Sequence, residues 1–223
     1  MMATRGRFIT LEGGEGAGKS VQARALGERL VGLGLNVVLT REPGGSPHAE
    51  ALRKVILSGA AAEFGPAGEA LLFSAARIDH IDNTIEPALA RGDWVVSDRF
   101  ADSTRAYQGA AGRLDNAFIA RLETVALAGL KPDLTLILDL PAARGLERAA
   151  LRRGANGSAD RFEREGLEFH ETLREAFLSV GYAEPQRCAV IDALKSERAV
   201  GDAIWAEVRR RFAFVFSPEG ATP

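Results

Sequence analysis

The sequence predicts an α/β fold with a parallel sheet, and its hydrophobic pattern supplies two reasons. Five short apolar runs rich in β-branched residues are continuous rather than alternating, as expected for strands buried on both faces. These runs lie at 8–11, 36–40, 94–97, 134–140 and 188–191. Between them, apolar residues recur every three or four positions, which indicates helices that connect parallel strands. The predicted helices cover 19–33, 66–91, 115–128, 142–152, 161–179 and 197–212.

Composition limits the class of protein. The 223 residues suit a single domain over 1–223, with 46% hydrophobic and 26% charged residues. The net charge of −2 argues against nucleic acid as a partner. The single cysteine, Cys188, cannot form an internal disulfide, and no apolar run approaches the length of a membrane span. We therefore expect a cytoplasmic protein without a membrane partner.

The most specific motif is a phosphate-binding loop that follows the first strand. Residues 13–20 read GGEGAGKS and match the pattern G-x-x-x-x-G-K-[ST] at every fixed position. A strand, a glycine-rich turn and a helix N-terminus together expose backbone N–H groups and a partial positive charge. Lys19 can reach the β- and γ-phosphates, and the Ser20 hydroxyl can ligate Mg²⁺. The loop predicts binding of a nucleoside triphosphate.

Charged residues close the second and third strands, where a parallel sheet places its ligands. Arg41 follows the second strand, and on this segment alone it is equally well a surface residue. Asp98 and Arg99 close the third strand and are candidates for a metal ligand and a phosphate ligand. Asp139, which closes the fourth strand, is the alternative metal ligand, although it can also cap the next helix. We prefer Asp98 because its neighbour is an arginine.

Two predicted helices carry weaker signals. Phe73 and Arg77 are four residues apart, so they share a face that either recognises a base or combines a core ring with a solvated arginine. Arg144, Arg148 and Arg152 share another helix face. That face is either solvated or a basic flap that closes over a triphosphate. Spacing leaves both alternatives open.

Six segments, taken together and in this order, resemble the motifs of the thymidylate kinase family from about residue 7 to about residue 212. They are FITLEGGEGAGKS (8–20), TREPGG (40–45), LFSAAR (72–77), SDRF (97–100), STRAYQG (103–109) and DRFE (160–163). The resemblance implies a three-layer P-loop nucleotide kinase fold with a five-stranded parallel sheet in the order 2-3-1-4-5. It also implies transfer of phosphate from ATP to dTMP with Mg²⁺, a step in dTTP synthesis, by a homodimer.

The resemblance also implies roles for the matching residues. ATP would be bound by the loop residues and one later arginine: Gly13, Gly14, Glu15, Gly16, Ala17, Gly18, Lys19, Ser20 and Arg148. Ser20 and Asp98 would hold the metal. Thymine would stack on Phe73 and be hydrogen-bonded at its edges by Arg77, Thr104 and Gln108, with Tyr107 near the deoxyribose. Glu15 would accept from the 3′-hydroxyl, and the acceptor phosphate would be held by Arg41, Arg53 and Arg99.

The catalytic residues implied by the resemblance are Lys19, Arg99 and arginines of a LID segment at about 144–165. Position 16 is glycine rather than arginine, which resembles the bacterial branch, where the LID supplies the catalytic arginine. Four candidates lie in the LID: Arg148, Arg152, Arg153 and Arg161. We rank Arg153 and Arg161 first because they flank the Gly-rich stretch 154–159. We expect residues 154–158 and the tail 217–223 to be mobile.

Two other functions fit parts of the sequence. One is another nucleoside or nucleoside-monophosphate kinase, and the other is a phosphate-loop switch protein that binds nucleotide to control a partner. The chain lacks an Asn-Lys-x-Asp guanine motif, and position 14 is glycine rather than the lysine of partition-type ATPases. Both observations favour a kinase.

Overall fold

A parallel sheet organises the fold in the computed structural model, which describes residues 5–154 and 161–216. Within these residues five strands pair in parallel in the order β2-β3-β1-β4-β5, which confirms the predicted topology. The strands are β1 (Phe8–Glu12), β2 (Val37–Arg41), β3 (Trp94–Asp98), β4 (Leu134–Asp139) and β5 (Cys188–Asp192). The tail 217–223, predicted to be mobile, and residues 155–160, which overlap the other stretch predicted to be mobile, lie outside the described residues.

Helices connect the strands as predicted for crossovers of a parallel sheet. They are α1 (Lys19–Val31), α2 (Pro47–Ser58), α3 (Gly65–His80), α4 (Glu86–Ala90), α5 (Ala101–Thr104), α6 (Asn116–Leu127), α7 (Ala142–Arg153), α8 (Leu167–Ala183) and α9 (Glu197–Arg211). Two π-helical turns, Ile81–Ile85 and Arg105–Ala111, join α3 to α4 and extend α5. Two 3₁₀ turns cover Ala60–Phe64 and Phe162–Arg164.

The structure differs from the predicted helices at several places, and α5 with the π turn after it lies where no helix was predicted. The helix α2 was not predicted, since of its side chains only Ala49 and Ile56 are buried. The predicted helix 66–91 is divided by the π turn and by Pro87, which lacks the N–H that a continuous helix needs. The helix predicted from 161 begins instead at Leu167, because Gly166 has an extended conformation.

The strands of the sheet centre are buried on both faces, as their continuous apolar runs predicted. On one face, Leu11 and Leu136 pack in a cluster with residues of α1 and α9. On the other face, Phe8 and Val95 pack against Phe100 and residues that precede β3. Helices therefore cover both sides of the sheet, and the carboxyl ends of the strands are left to form a site.

A cluster of ion pairs fastens the helix that follows β3. The guanidinium of Arg187, just before β5, donates to both oxygens of Asp102 at 2.7 and 2.8 Å. Arg105 lies 3.3 Å from Asp102 and also pairs with Glu123 and Glu184. Asp102 is only 3% exposed, so its charge is compensated by these arginines rather than by water. The cluster fixes where α5 and the π turn after it lie against the sheet.

We expect Asp102→Ala to lower the free energy of unfolding by about 3 kcal/mol, because it leaves the buried Arg187 short of a carboxylate. Urea denaturation measures this loss. Asp202→Ala is the control, since its carboxylate is 64% exposed and pairs only at 3.7 and 4.0 Å. Its loss should stay under about 1 kcal/mol. Equal losses in the two variants would contradict a structural role for the cluster.

Candidate active site

The phosphate-binding loop connects β1 to α1 and wraps around its own lysine. The backbone has positive φ at Gly13, Gly16 and Gly18, and Gly18 caps the N-terminus of α1. Lys19 Nζ donates to the carbonyl oxygens of Gly13 and Gly14 at 3.1 and 2.7 Å. Burial, together with the nearby guanidinium of Arg99, lowers the pKa of Lys19 to about 8. The lysine is therefore preorganised inside the loop that a polyphosphate would occupy.

Backbone conformation and close packing both require glycine at position 16. It has a φ of 67°, and a Cβ there would lie 2.1 Å from the carbonyl oxygen of Gly145 in α7. In return, a Cβ on Gly145 would lie 2.2 Å from the carbonyl oxygen of Glu15. The loop and the start of the LID helix thus pack backbone to backbone, and no arginine fits at position 16 in this arrangement.

Arg99 lies at the centre of the site, in a left-handed conformation with φ 74°. Its Nη2 donates to Glu15 Oε1 at 2.7 Å and to the Tyr107 hydroxyl at 2.9 Å. Its Nη1 donates to the Gly13 carbonyl oxygen and to Ser103 Oγ, both at 3.2 Å. Burial by itself raises the pKa of Glu15, but Arg99 and Lys19 overcome this effect and lower it to about 2. Glu15 is therefore an ionised acceptor.

Glu12, which the sequence did not single out, is connected to this arginine through the Ser103 hydroxyl. Its carboxylate accepts from the Phe100 N–H and from Ser103 Oγ, each at 2.7 Å. Burial and the neighbouring Asp102 raise the pKa of Glu12 to about 8. The only signal in the sequence was an acidic residue at the end of a buried strand.

The arrangement of Ser20 and Asp98 suits a magnesium ion. The Ser20 hydroxyl donates to Asp98 Oδ2, so the two predicted metal ligands lie side by side. The alternative ligand, Asp139, accepts two hydrogen bonds from Arg174 at 2.6 and 3.0 Å. It does not cap α7, whose N-cap residue is Pro141. Among the described residues no cluster of three or more His, Cys, Asp or Glu could hold a metal. Magnesium bound to nucleotide needs only one or two protein oxygens, so the pair fits it.

A cleft of about 490 Å³ opens beside the loop. It collects predicted site residues from several elements: Glu15, Gly16, Gly18, Lys19, Ser20, Arg41, Arg53, Phe73, Asp98, Arg99, Thr104, Tyr107 and Gln108. Gly13, Gly14 and Ala17 complete the loop without lining the cleft. Arg41 Nη2 lies 3.0 Å from Glu50 Oε1, and Arg53 Nη1 donates to the Pro43 carbonyl oxygen at 2.5 Å.

The inner end of the cleft contains polar groups suited to a base. Arg77 lies just beneath it, 2% exposed, and donates to Glu42 Oε2 at 2.8 Å and to Thr104 Oγ1 at 3.0 Å. The buried Nε2 of Gln108 finds no hydrogen-bond partner among the described residues. Such an atom needs a partner, and a bound ligand can supply one. Phe73 supplies an aromatic wall to the same cleft.

The LID arginines have different surroundings. Arg148 Nη1 donates to the Ala193 carbonyl oxygen at 3.0 Å, whereas Arg152 lines the cleft and lies 3.0 Å from Glu163 Oε1. Arg161 is ion-paired with Glu69 of α3 and is not among the residues that line the cleft. The backbone of Arg153 ends α7, but its side chain lies outside the described part of the structure. The cleft is also lined by Phe162, which the sequence showed only as part of the DRFE segment.

None of the described helices combines the length and the apolar character that a membrane crossing requires.

Comparisons with known proteins show similarity in sequence and in fold. The family model described as thymidylate kinase matches residues 11–204. The chain is 54% identical over 209 residues to a thymidylate kinase of Afipia carboxidovorans, covering 94% of this chain and 91% of the relative. It is 54% identical over 213 residues to a thymidylate kinase of Rhodopseudomonas palustris, covering 95% and 92%. A crystal structure of thymidylate kinase from Ehrlichia chaffeensis is similar with a TM-score of 0.73 at 30% identity, covering 92% of this chain and 99% of that one. The match over most of the chain, in sequence and in fold, shows that the chain belongs to the thymidylate kinase family.

Proposed function

We propose that this chain, a dTMP kinase with ATP as the phosphoryl donor, carries out the transfer in the cleft beside the phosphate-binding loop. One observation carries the proposal. The buried Lys19, Arg99 and the aromatic and amide side chains of Phe73 and Gln108 line a single cleft. A triphosphate on the loop and a nucleotide in the inner pocket then meet at Arg99. The reaction supplies dTDP for dTTP synthesis.

On the donor side, the loop amides, the N-terminus of α1 and Lys19 hold the triphosphate. Ser20 and Asp98 hold the Mg²⁺ that accompanies it, which neutralises negative charge on the phosphates. The side chain of Arg148 extends from α7 and donates to the Ala193 carbonyl oxygen in the loop after β5. From this position on the LID side it contacts the donor nucleotide.

On the acceptor side, Phe73 stacks on thymine. Gln108 meets a base edge with its Nε2, which has no hydrogen-bond partner within the described part of the chain. Arg77 and Thr104, already hydrogen-bonded to each other at 3.0 Å, meet the base edge beside it. Near the sugar, the Tyr107 hydroxyl donates to Glu15 at 2.7 Å, so the carboxylate is oriented to accept from the 3′-hydroxyl. The acceptor phosphate is held by Arg41, Arg53 and Arg99.

The transfer needs no general base from the protein. A phosphate monoester has a second pKa of about 6, so its attacking oxygen is already ionised at neutral pH. The protein has to bring two anions together and stabilise the charge of the transferred group. Lys19, Arg99 and a LID arginine do this, and Gly16 leaves that last position to the LID.

We also propose that the chain acts as one kinase domain with a LID at about 144–165, as a homodimer in the cytoplasm. The likeness to the family supports the domain organisation and the dimer. The single Cys188, buried in β5, agrees with a reducing compartment.

A coupled assay of ADP release with dTMP, dUMP, dCMP, dAMP and dGMP as acceptors tests the function. We expect the highest kcat/KM with dTMP. Phe73→Ala should raise the KM for dTMP about ten- to a hundredfold and leave the KM for ATP unchanged, since stacking contributes about 1–3 kcal/mol. If another acceptor is preferred, the assignment of substrate is wrong. If Phe73→Ala melts early yet binds dTMP normally, its ring is only a core residue.

The affinity for ATP should fall as the pH rises through about 8. Lys19 and Glu12 both have a pKa of about 8 in the free protein. As the pH rises, Lys19 loses its positive charge and Glu12 acquires a negative charge, and both changes weaken the binding of an anion. The Kd for ATP should therefore increase by up to about tenfold for each group between pH 7 and pH 9. Lys19→Arg keeps its proton over this range and should give a flatter curve, and Glu12→Gln should remove only the second contribution. Parallel curves in all three proteins would rule out both groups.

At least one LID arginine should act mainly in the transition state. We expect Arg152→Ala or Arg153→Ala to lower kcat about a hundredfold or more without changing dTMP binding, because such arginines contribute about 10³–10⁵ in rate in related reactions. Steady-state kinetics on alanine variants of Arg148, Arg152, Arg153 and Arg161 measures this. Four values of kcat close to that of the unaltered protein would mean that the arginines form only a solvated face.

A further inference from the structure

One face of α3 carries more than the pair of base-binding residues. Glu69, Phe73 and Arg77 are spaced four residues apart and therefore lie one above another on the same face of the helix. Phe73 lines the cleft, and Arg77 lies buried beneath it. Glu69 lies one helical turn before Phe73 on this face, where it contacts Arg161 of the LID.

Glu69 is a buried carboxylate whose partner comes from the LID. It is 4% exposed, and its Oε1 accepts from Arg161 Nη1. A buried carboxylate without a cation is costly, so separating the pair would leave an uncompensated charge on α3. The ion pair therefore connects residue 161 of the LID to α3, the helix that carries Phe73.

Phe162 connects the Glu69–Arg161 ion pair to the cleft, which its ring lines. The Arg161 guanidinium lies 4.9 Å from the centroid of the Phe162 ring. That ring lies 5.1 Å from Tyr107 in an edge-to-face arrangement and 6.3 Å from Phe73. Three aromatic rings from three elements thus meet at one wall of the cleft, and the position of Phe162 follows that of its neighbour Arg161.

We propose that Glu69 and Arg161 form a positioning pair that seats Phe162 against the acceptor nucleoside. The inference rests on the proposed binding of dTMP in this cleft. Arg161 acts through Phe162 and not by contact with the transferred phosphate, in contrast to the role that the sequence suggested for it. The helix α3 then supplies the base stack, the base hydrogen bonds and the anchor of the LID.

Kinetics on Glu69→Gln, Arg161→Ala and the double variant test this pair. We expect each single variant to raise the KM for dTMP about tenfold, with kcat within about threefold and the KM for ATP unchanged. The double variant should be no worse than either single variant, because two residues that act as one unit give non-additive effects. Arg161→Lys keeps the charge and should raise the KM less than Arg161→Ala does.

An exposed ion pair in the same LID supplies the control variants. Arg144 and Glu147 form an exposed ion pair at 2.6 Å on α7, and Arg144→Ala and Glu147→Gln should leave both KM values unchanged. A hundredfold loss of kcat in Arg161→Ala, with an unchanged KM and a normal Glu69→Gln, would overturn the proposal in favour of a phosphate contact. Additive effects, or unchanged KM values, would also overturn it. Turnover of dTMP by the unaltered protein tests the proposed function separately, before any variant is compared.

Discussion

The buried guanidinium of Arg99 is the constraint on which the rest of the site depends. A cation removed from water must be surrounded by acceptors, and Arg99 finds them on the phosphate-binding loop, on Glu15 and on the π turn that carries Tyr107. Its backbone holds a left-handed conformation that a non-glycine residue rarely adopts. The N–H of Arg99 donates to the Leu11 carbonyl oxygen at 2.9 Å, which fixes this turn to β1. The side chain and the backbone of Arg99 thereby connect the phosphate-binding loop, the π turn and the sheet.

Around Arg99 the interior is organised by charge pairs between elements. Glu42 compensates Arg77, Asp102 compensates Arg187, and Glu69 compensates Arg161. Each pair joins segments that are far apart in the chain. Because the pairs are buried, removing one partner destabilises the fold by more than the intact pair stabilises it. A site that receives a triphosphate and a nucleoside monophosphate needs many cations, and these carboxylates allow the cations to be packed before the substrates bind.

The contact between Gly16 and Gly145 ties the phosphate-binding loop to the LID. With two backbones in such close contact there is no room for a side chain at position 16, and the loop cannot supply an arginine of its own. The contact lies in the first turn of the LID helix, which further along carries Arg152, a residue that lines the cleft. Steric exclusion at one glycine therefore supports the proposal that the cationic group for the transfer comes from the LID.

The resemblance to the family implied the order of the strands. The sequence pattern by itself determined the strands, the phosphate-binding loop and the charged residues at the carboxyl ends of β2 and β3. These features depend on local pattern: continuous apolar runs, glycines at fixed spacing and charged residues where a strand ends. It did not reveal α2, because few of its side chains are buried, or the break after His80, which follows from a π turn and Pro87. Only the tertiary structure decided which charges meet. Glu12 is connected to Arg99 through Ser103, Asp139 binds Arg174 rather than capping α7, and Arg161 reaches Glu69, which stands 92 positions earlier in the chain. Such pairings are set by the packing of helices on the sheet, and residue spacing along the chain carries no record of them.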